Sequence, residues 1–389
     1  MGTRWWPPAA VATAAMAVSM LPLYAVSALG PELAQDLALS RAAVGALVTV
    51  VFGVAAVVSL SAGRLVDSAG ARRSLLALAA IVAVALLAGS AAGSYPLLLL
   101  PVAVAGLGLA LANPATNVLI VVAVPESRRG VAVGLKQSGV QVAAVVCGTV
   151  LPVVAAGYGW RAGLRLAAVL ALLLLVVTWW QVPQAPRRGA AGGPWWQWKR
   201  PSAAVARLMG YSLLLGAGLS TVNTYLPLYG VQELRLAGWS AGVLLAVFGV
   251  AGVAGRLWWT RWADRLTEVT SALVWLSGAA AGSMVLVLLA VWWSPLVWLG
   301  AIGVGMSATA ANAVSMLAVI RRKEAAGHAS ALVSTGFFSG FVVAPTTFGL
   351  LADRGGYPLA WVLVTAVFAA SALAGLRLSA RRPESAVAA

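Results

Sequence analysis

A chain of 389 residues in which 61% are hydrophobic and only 9% charged is far more apolar than a water-soluble domain, which carries about a quarter charged residues. In such a chain the net charge of +16 bears on membrane orientation and not on nucleic acid. One cysteine, Cys147, and one histidine, His328, exclude an internal disulfide, a multi-cysteine metal centre and a histidine-pair motif.

A bilayer core needs about 20 consecutive apolar residues per helix, and runs of that length recur along the whole chain. The alternation of apolar and polar residues that a membrane β-barrel requires does not occur. The predicted spans lie at about 9–30, 43–62, 74–94, 97–124, 131–156, 162–182, 206–229, 239–259, 270–290, 294–320, 328–350 and 358–378. The first follows the basic start MGTRWW, but no small-residue cleavage context precedes Tyr24, so it reads as a membrane helix and not as a signal peptide. The fold class is therefore an all-α polytopic membrane protein of twelve transmembrane helices.

Twelve spans put both termini on one side. Of the 26 lysines and arginines, five (Arg41, Arg161, Arg165, Arg235, Arg354) fall in loops on the opposite side and two lie inside spans; the other nineteen share the side of the termini. The positive-inside rule makes that side cytoplasmic, and the expected location is the cytoplasmic, or inner, membrane. The longest polar break is rich in Pro, Gly and Arg and falls near the midpoint, which divides the chain into bundles at 1–182 and 206–389 joined by a linker at 183–205. The halves echo each other: LPLY at 21–24 recurs at 226–229, VFGVA at 51–55 recurs at 247–251, and Arg64 with Asp67 is matched by Arg261 with Asp264. Two pseudo-symmetric six-helix bundles with a substrate site between them at mid-membrane are a recognised transporter layout.

The loop GRLVDSAGARR at 63–73 resembles the motif between the second and third helices of the major facilitator superfamily, G-x-L-x-D-x-x-G-R-R, through Gly63, Leu65, Asp67, Gly70, Arg72 and Arg73. TRWADR at 260–265 is a worn second copy. The resemblance implies a gate of Gly63, Asp67, Gly70, Arg72, Arg73, Asp264 and Arg265, in which Asp67 latches the cytoplasmic ends of the halves in the outward-facing state. Orienting the loop by positive charge is a second role open to Arg72 and Arg73. The resemblance also makes a monomer the default.

Two cations lie inside the membrane. Arg256 precedes Asp264 by eight residues, about 12 Å along a helix, and Lys136 follows Arg129 by seven, about 10 Å. A charge at that depth costs on the order of 3 kcal/mol on insertion scales, so it faces a partner or a wet cavity, or snorkels to the surface. All ten acids (Glu32, Asp36, Asp67, Glu126, Glu233, Asp264, Glu268, Glu324, Asp353, Glu384) sit in loops or at span ends. One cation per half and no acid at their depth leave a positive cavity for an anionic substrate. On the fifth span Gln137 and Gln141 share a polar wedge with Lys136, and Tyr24, Asn113, Asn117, Asn223, Tyr225 and Asn312 on other spans are candidate cavity-lining groups, each alone equally suited to joining helices.

GRLWWTRWADR is similar to the eighth helix of the oxalate/formate antiporter and monocarboxylate porter branches, in which an arginine binds the substrate carboxylate, and Arg256 occupies that place. Proton-coupled monocarboxylate porters carry an acid one turn earlier, where this chain has Gly252. His328 reads as a surface residue; Trp258 and Trp259 are candidates to stack on Arg256. The tryptophans gather at span ends, as interfacial anchors do. No paired carboxylates, metal-ligand cluster or phosphate-binding loop suggests an enzyme, a cofactor or a metal site. The expected function is secondary transport of small organic anions, carboxylates above all, by symport or antiport. Efflux of drugs or metabolites is the alternative. The expected partners are a small anionic substrate and the lipid bilayer.

Overall fold

Hydrocarbon offers no hydrogen bonds, so an apolar run must pair its backbone groups within itself, and each predicted span is a helix. The computed structural model describes residues 5–184, 202–263, 266, 268–321 and 326–379. The membrane helices are α1 (Trp6–Ala28), α2 (Arg41–Ala69), α3 (Ala71–Ser90), α4 (Tyr95–Ala123), α5 (Glu126–Tyr158), α6 (Trp160–Gln181), α7 (Ala203–Gln232), α8 (Gly238–Ala263), α9 (Val269–Leu289) and α10 (Leu296–Arg321). The last helical stretch, Ala326–Ser379, is broken at Gly356, whose φ of 75° is left-handed, and so divides into α11 (326–355) and α12 (357–379). That gives the expected twelve. Asp264 and Arg265, and residues 185–201 of the linker, lie outside the described residues.

A short helix that the span pattern does not predict, Gly30–Asp36, lies between α1 and α2. Pro31 and Glu32 fit its first turn, where a missing N–H costs nothing and a negative charge meets the helix dipole. Its last residue, Asp36, accepts from Trp160 Nε1 at 2.8 Å and Arg161 Nη1 at 2.7 Å, and these two donors hold its carboxyl below the usual range. Burial pushes the Glu32 carboxyl the other way.

Each half uses the same helix contacts. In the first, α1 packs on α5, α2 on α4, and α3 on α4 and α6; in the second, α7 packs on α11, α8 on α10, and α9 on α10 and α12. The halves meet along two seams related by the same symmetry, α2 with α11 and α5 with α8, flanked by α1 with α7. Lipid removes the hydrophobic drive for such seams, so they depend on close backbone approach at small residues. Gly148 faces Gly242 across α5 and α8, and Gly45 faces Pro345 across α2 and α11.

The seams close at the end of the molecule away from the termini. Asp353, at the end of α11, accepts from the backbone N–H groups of Arg41 and Ala42 at 3.0 Å each, while Ser40 accepts from that of Ala43. Three of the four amides that a helix start leaves open are thus satisfied at α2, two of them from the opposite half. The Arg41 guanidinium donates to the Ala352 carbonyl at 2.6 Å and to Gln232 Oε1 at 3.2 Å, and lies 4.3 Å from the Tyr357 ring centre. Deeper in the same seam, the Thr49 hydroxyl donates to the Val342 carbonyl and Phe52 packs at a tilt against Phe341.

Candidate functional site

The two intramembrane cations sit in different surroundings. Lys136 does not snorkel. Its side chain is 1% exposed, and its ammonium donates to Asn117 Oδ1 at 2.6 Å, Thr116 Oγ1 at 3.0 Å and Asn113 Oδ1 at 3.4 Å. Asn113, Thr116 and Asn117 occupy successive positions on one face of α4, where i, i+3 and i+4 residues align, and together they form a cradle of neutral oxygens. Spacing alone did not link Thr116 to this cluster, because a threonine in an apolar run more often bonds its own helix, as this one also does to the Ala112 carbonyl.

Arg256 reaches across the boundary between halves. Its Nη1 donates to the Gln137 carbonyl of α5 at 3.1 Å, and Tyr24 of α1 is an electrostatic neighbour. The carbonyl that receives it belongs to the residue next to Lys136, so the two cations are addressed to the same turn of α5. Gln141, one turn on, is 3% exposed and packs against α8 at Gly252, where a Cβ would meet its Cγ at 3.1 Å and Thr309 Cγ2 of α10 at 3.2 Å. Gly252 stands where an acid was considered, and the crowding explains the glycine: α5, α8 and α10 converge there with no room for a longer side chain.

The expected single polar wedge on α5 is therefore two faces. Lys136 turns to α4, while Gln141 turns to α8, and Gln137 presents its backbone carbonyl to Arg256. Within this convergence Gln141 Oε1, and on α10 Asn312 Oδ1, are buried without a hydrogen-bond partner among the described residues. Buried orphan oxygens are uncommon in folded chains, and Gln141 carries one at the contact of α5 with Gly252 of α8, four residues before Arg256.

Other candidates lie elsewhere. Tyr225 belongs to the seal at the far end, with its hydroxyl 2.7 Å from the Arg41 carbonyl and 2.8 Å from that of Pro345. The Asn223 carbonyl accepts from Ser27 across α1 and α7, and its Oδ1 is buried without a partner among the described residues. Trp258 points outward, and Trp259 packs edge-on against Trp262. His328 is in a helix, but its side chain lies outside what is described.

In the loop motif, Gly70 ends α2 with φ of 82°, which only glycine adopts without strain. Asp67 and Arg73 are exposed, and Gly63 has open space where a Cβ would be. Arg72 donates to the Trp179 carbonyl at 2.8 Å and lies over its ring, which ties the start of α3 to the last turn of α6 within one half. The residues that join the halves at the far end, Arg41, Asp353, Gln232 and Tyr357, carried no motif signal and were missed.

Comparison with solved structures places the fold among membrane carriers. A D-xylose-proton symporter aligns with a TM-score of 0.78 at 17% identity over 97% of this chain and 98% of its own. A bacterial homolog of the human lysosomal transporter Spinster, in an inward-facing and occupied conformation, gives 0.78 at 14% over 95% and 96%. The nucleoside transporter NupG, in a single-substitution mutant form, gives 0.76 at 13% over 95% and 99%. At those identities the likeness is one of fold. In sequence, the profile of the Major Facilitator Superfamily matches residues 11–319. The chain is a multi-pass membrane transporter, not an enzyme, and it belongs to the major facilitator superfamily.

Proposed function

We propose that this transporter carries small organic anions, carboxylates above all, by alternating access of its two halves, with Arg256 as the contact to the substrate carboxylate. The observation that carries this reading is the meeting of Arg256, from the second half, with the turn of α5 that bears Lys136, from the first, at a depth where none of the ten acids of the sequence lies. A guanidinium presents a planar pair of donors that matches a carboxylate. Gln137, Gln141, Asn312 and Tyr24 complete the site, and Asn113 and Asn117 belong to it through Lys136. Asn223 and Tyr225 act in the seal. The positive-inside rule supports cytoplasmic termini in an inner membrane, which makes the closed seam the outer one and the state inward-facing. Asp67, with Gly63, Gly70, Arg72, Arg73, Asp264 and Arg265, is then the inner latch, and the exposure of Asp67 fits a latch that is open.

The test is uptake of radiolabelled formate, lactate, oxalate and succinate into proteoliposomes. Saturable uptake of at least one, reduced tenfold or more by Arg256→Lys, is expected, because lysine keeps the charge but loses the paired donors. Absence of saturable uptake across the panel, or full activity in the lysine variant, refutes the reading. The second reading is export of drugs or metabolites, and resistance profiling of an overexpressing strain decides for it.

A further inference from the structure

We infer that Lys136 sets the charge selectivity of this site without touching the substrate, and that Asn113, Thr116 and Asn117 are positioning residues that keep its charge fixed and uncancelled. The inference rests on the carboxylate reading and assigns Lys136 a narrower role within it than direct contact.

The donor count comes first. An ammonium has three N–H bonds, and among the described residues three oxygens receive them, at 2.6, 3.0 and 3.4 Å. Donors and acceptors match, and the side chain is 1% exposed. A substrate oxygen reaches Nζ only by displacing one of the three, which lie on the buried Thr116, the half-buried Asn113 and the exposed Asn117, and each displacement gives up a bond to a charged donor.

The nature of the acceptors comes second. Two amides and a hydroxyl solvate the ammonium and do not neutralise it. An aspartate at the exposed position 117 would have the same shape, but it would pair the buried Lys136 with a carboxylate and leave the cluster with no net charge. With asparagine there, one positive charge remains inside the membrane on α5.

That charge is delivered to the substrate site by the helix itself. The carbonyl next to Lys136 is the one that holds Arg256, so the guanidinium and its ligand lie beside the same turn. At an effective dielectric of about 20, one charge felt over about 10 Å changes the affinity for a unit negative charge roughly tenfold. Arg256 thus supplies the directional contact. Lys136 supplies a field that discriminates anions from neutral molecules of equal shape.

The experiment compares the full-length wild type with Asn117→Asp and Lys136→Met, with oxalate and its neutral diamide, oxamide, as probes. Calorimetry reads affinity, and isotopically labelled lysine reads the amine by NMR; the chain has only three lysines, and the methionine variant identifies the signal of Lys136. The expected results are an ammonium resonance in the empty protein whose protons exchange slowly with water, no change of that resonance on saturation with oxalate, and affinity for the oxalate dianion about a hundredfold lower in both variants, tenfold for each of its two charges, while oxamide affinity does not fall. Fast exchange in the empty protein, a shifted amine resonance on oxalate binding, or unaltered oxalate affinity in Asn117→Asp overturns the inference. If Asn117→Asp does not fold, Lys136→Met with the NMR readout decides alone. Failure of the wild type to bind or transport any acid in the panel counts against the carboxylate reading, while the amine resonance still tells whether the cradle holds a charged lysine.

Discussion

Replacing Asp353 by Asn tests how the outer seam is held. In the sealed state its carboxylate accepts two backbone N–H bonds at the start of α2, both 3.0 Å, from a helix in the opposite half. Opening the seam must break both. The substitution keeps the size of the side chain and one acceptor oxygen but removes the charge, so it loses the charge–dipole attraction, worth about 0.3–1 kcal/mol, and one of the two bonds outright, because the amide NH2 cannot accept from the second N–H. Asp353 is exposed, so solvent screens the interaction, and the net loss is about 1 kcal/mol, roughly a fivefold shift of the equilibrium toward the state open at this end. Paired spin labels at Gln35, on the short helix of the first half, and Ala237, on a loop of the second, both exposed, read the separation by pulsed dipolar spectroscopy once the buried Cys147 is replaced by Ala. The longer distance is expected to gain population in Asp353→Asn, and less so at high salt, where exposed charges are screened. An unchanged distance distribution, or a shift toward the closed distance, refutes the argument that this carboxylate holds the halves together.

Packing and the outer loops give three more expectations. Gly252→Val is expected to force α5, α8 and α10 apart and to destabilise the protein by about 1–3 kcal/mol, with Gly252→Ala much milder, since one methyl asks Gln141 to give only a few tenths of an ångström; equal apparent Tm values for wild type and the valine variant would contradict this. Asp36 has a folded pKa held below its unfolded value of about 3.9, so its contribution is complete above that value and lost as the pH falls through the lowered one; Asp36→Asn is expected to flatten the acid limb of a Tm–pH profile, and an unaltered limb would refute it. Glu32 has the opposite sign. Burial raises its folded pKa, so the ionised form is disfavoured near neutral pH, its Oε2 lacks a partner among the described residues, and Glu32→Gln is expected to raise Tm at pH 7 by an amount that shrinks as the pH is lowered; a fall in Tm at pH 7 would count against it.

The twelve spans and the division into halves were legible in the sequence, because hydrocarbon imposes a length and a composition on every helix that crosses it. Even the break between the last two helices was marked, by the polar stretch that contains Gly356. The loop motif was equally legible, since Gly70 must take a left-handed φ to end α2. The short helix at Gly30–Asp36 was not, because seven residues carry too little periodicity to register.

Partnership was the part only the tertiary structure decided. Lys136 and Gln141 looked alike as polar residues on one helix, yet one turns to α4 and the other to α8, and nothing in their spacing says which neighbour each will meet. Asp353 and Arg41 read as loop charges and became a cap across the boundary between the halves. The physical reason is that membrane insertion acts on each helix separately, through its own residues, whereas hydrogen bonds and charges are satisfied by whichever helices pack beside it. The sequence by itself determined that two cations and none of the ten acids fall inside the apolar runs; the packing of α4, α5 and α8 decided that one is cradled by neutral oxygens and the other reaches from one half to the next.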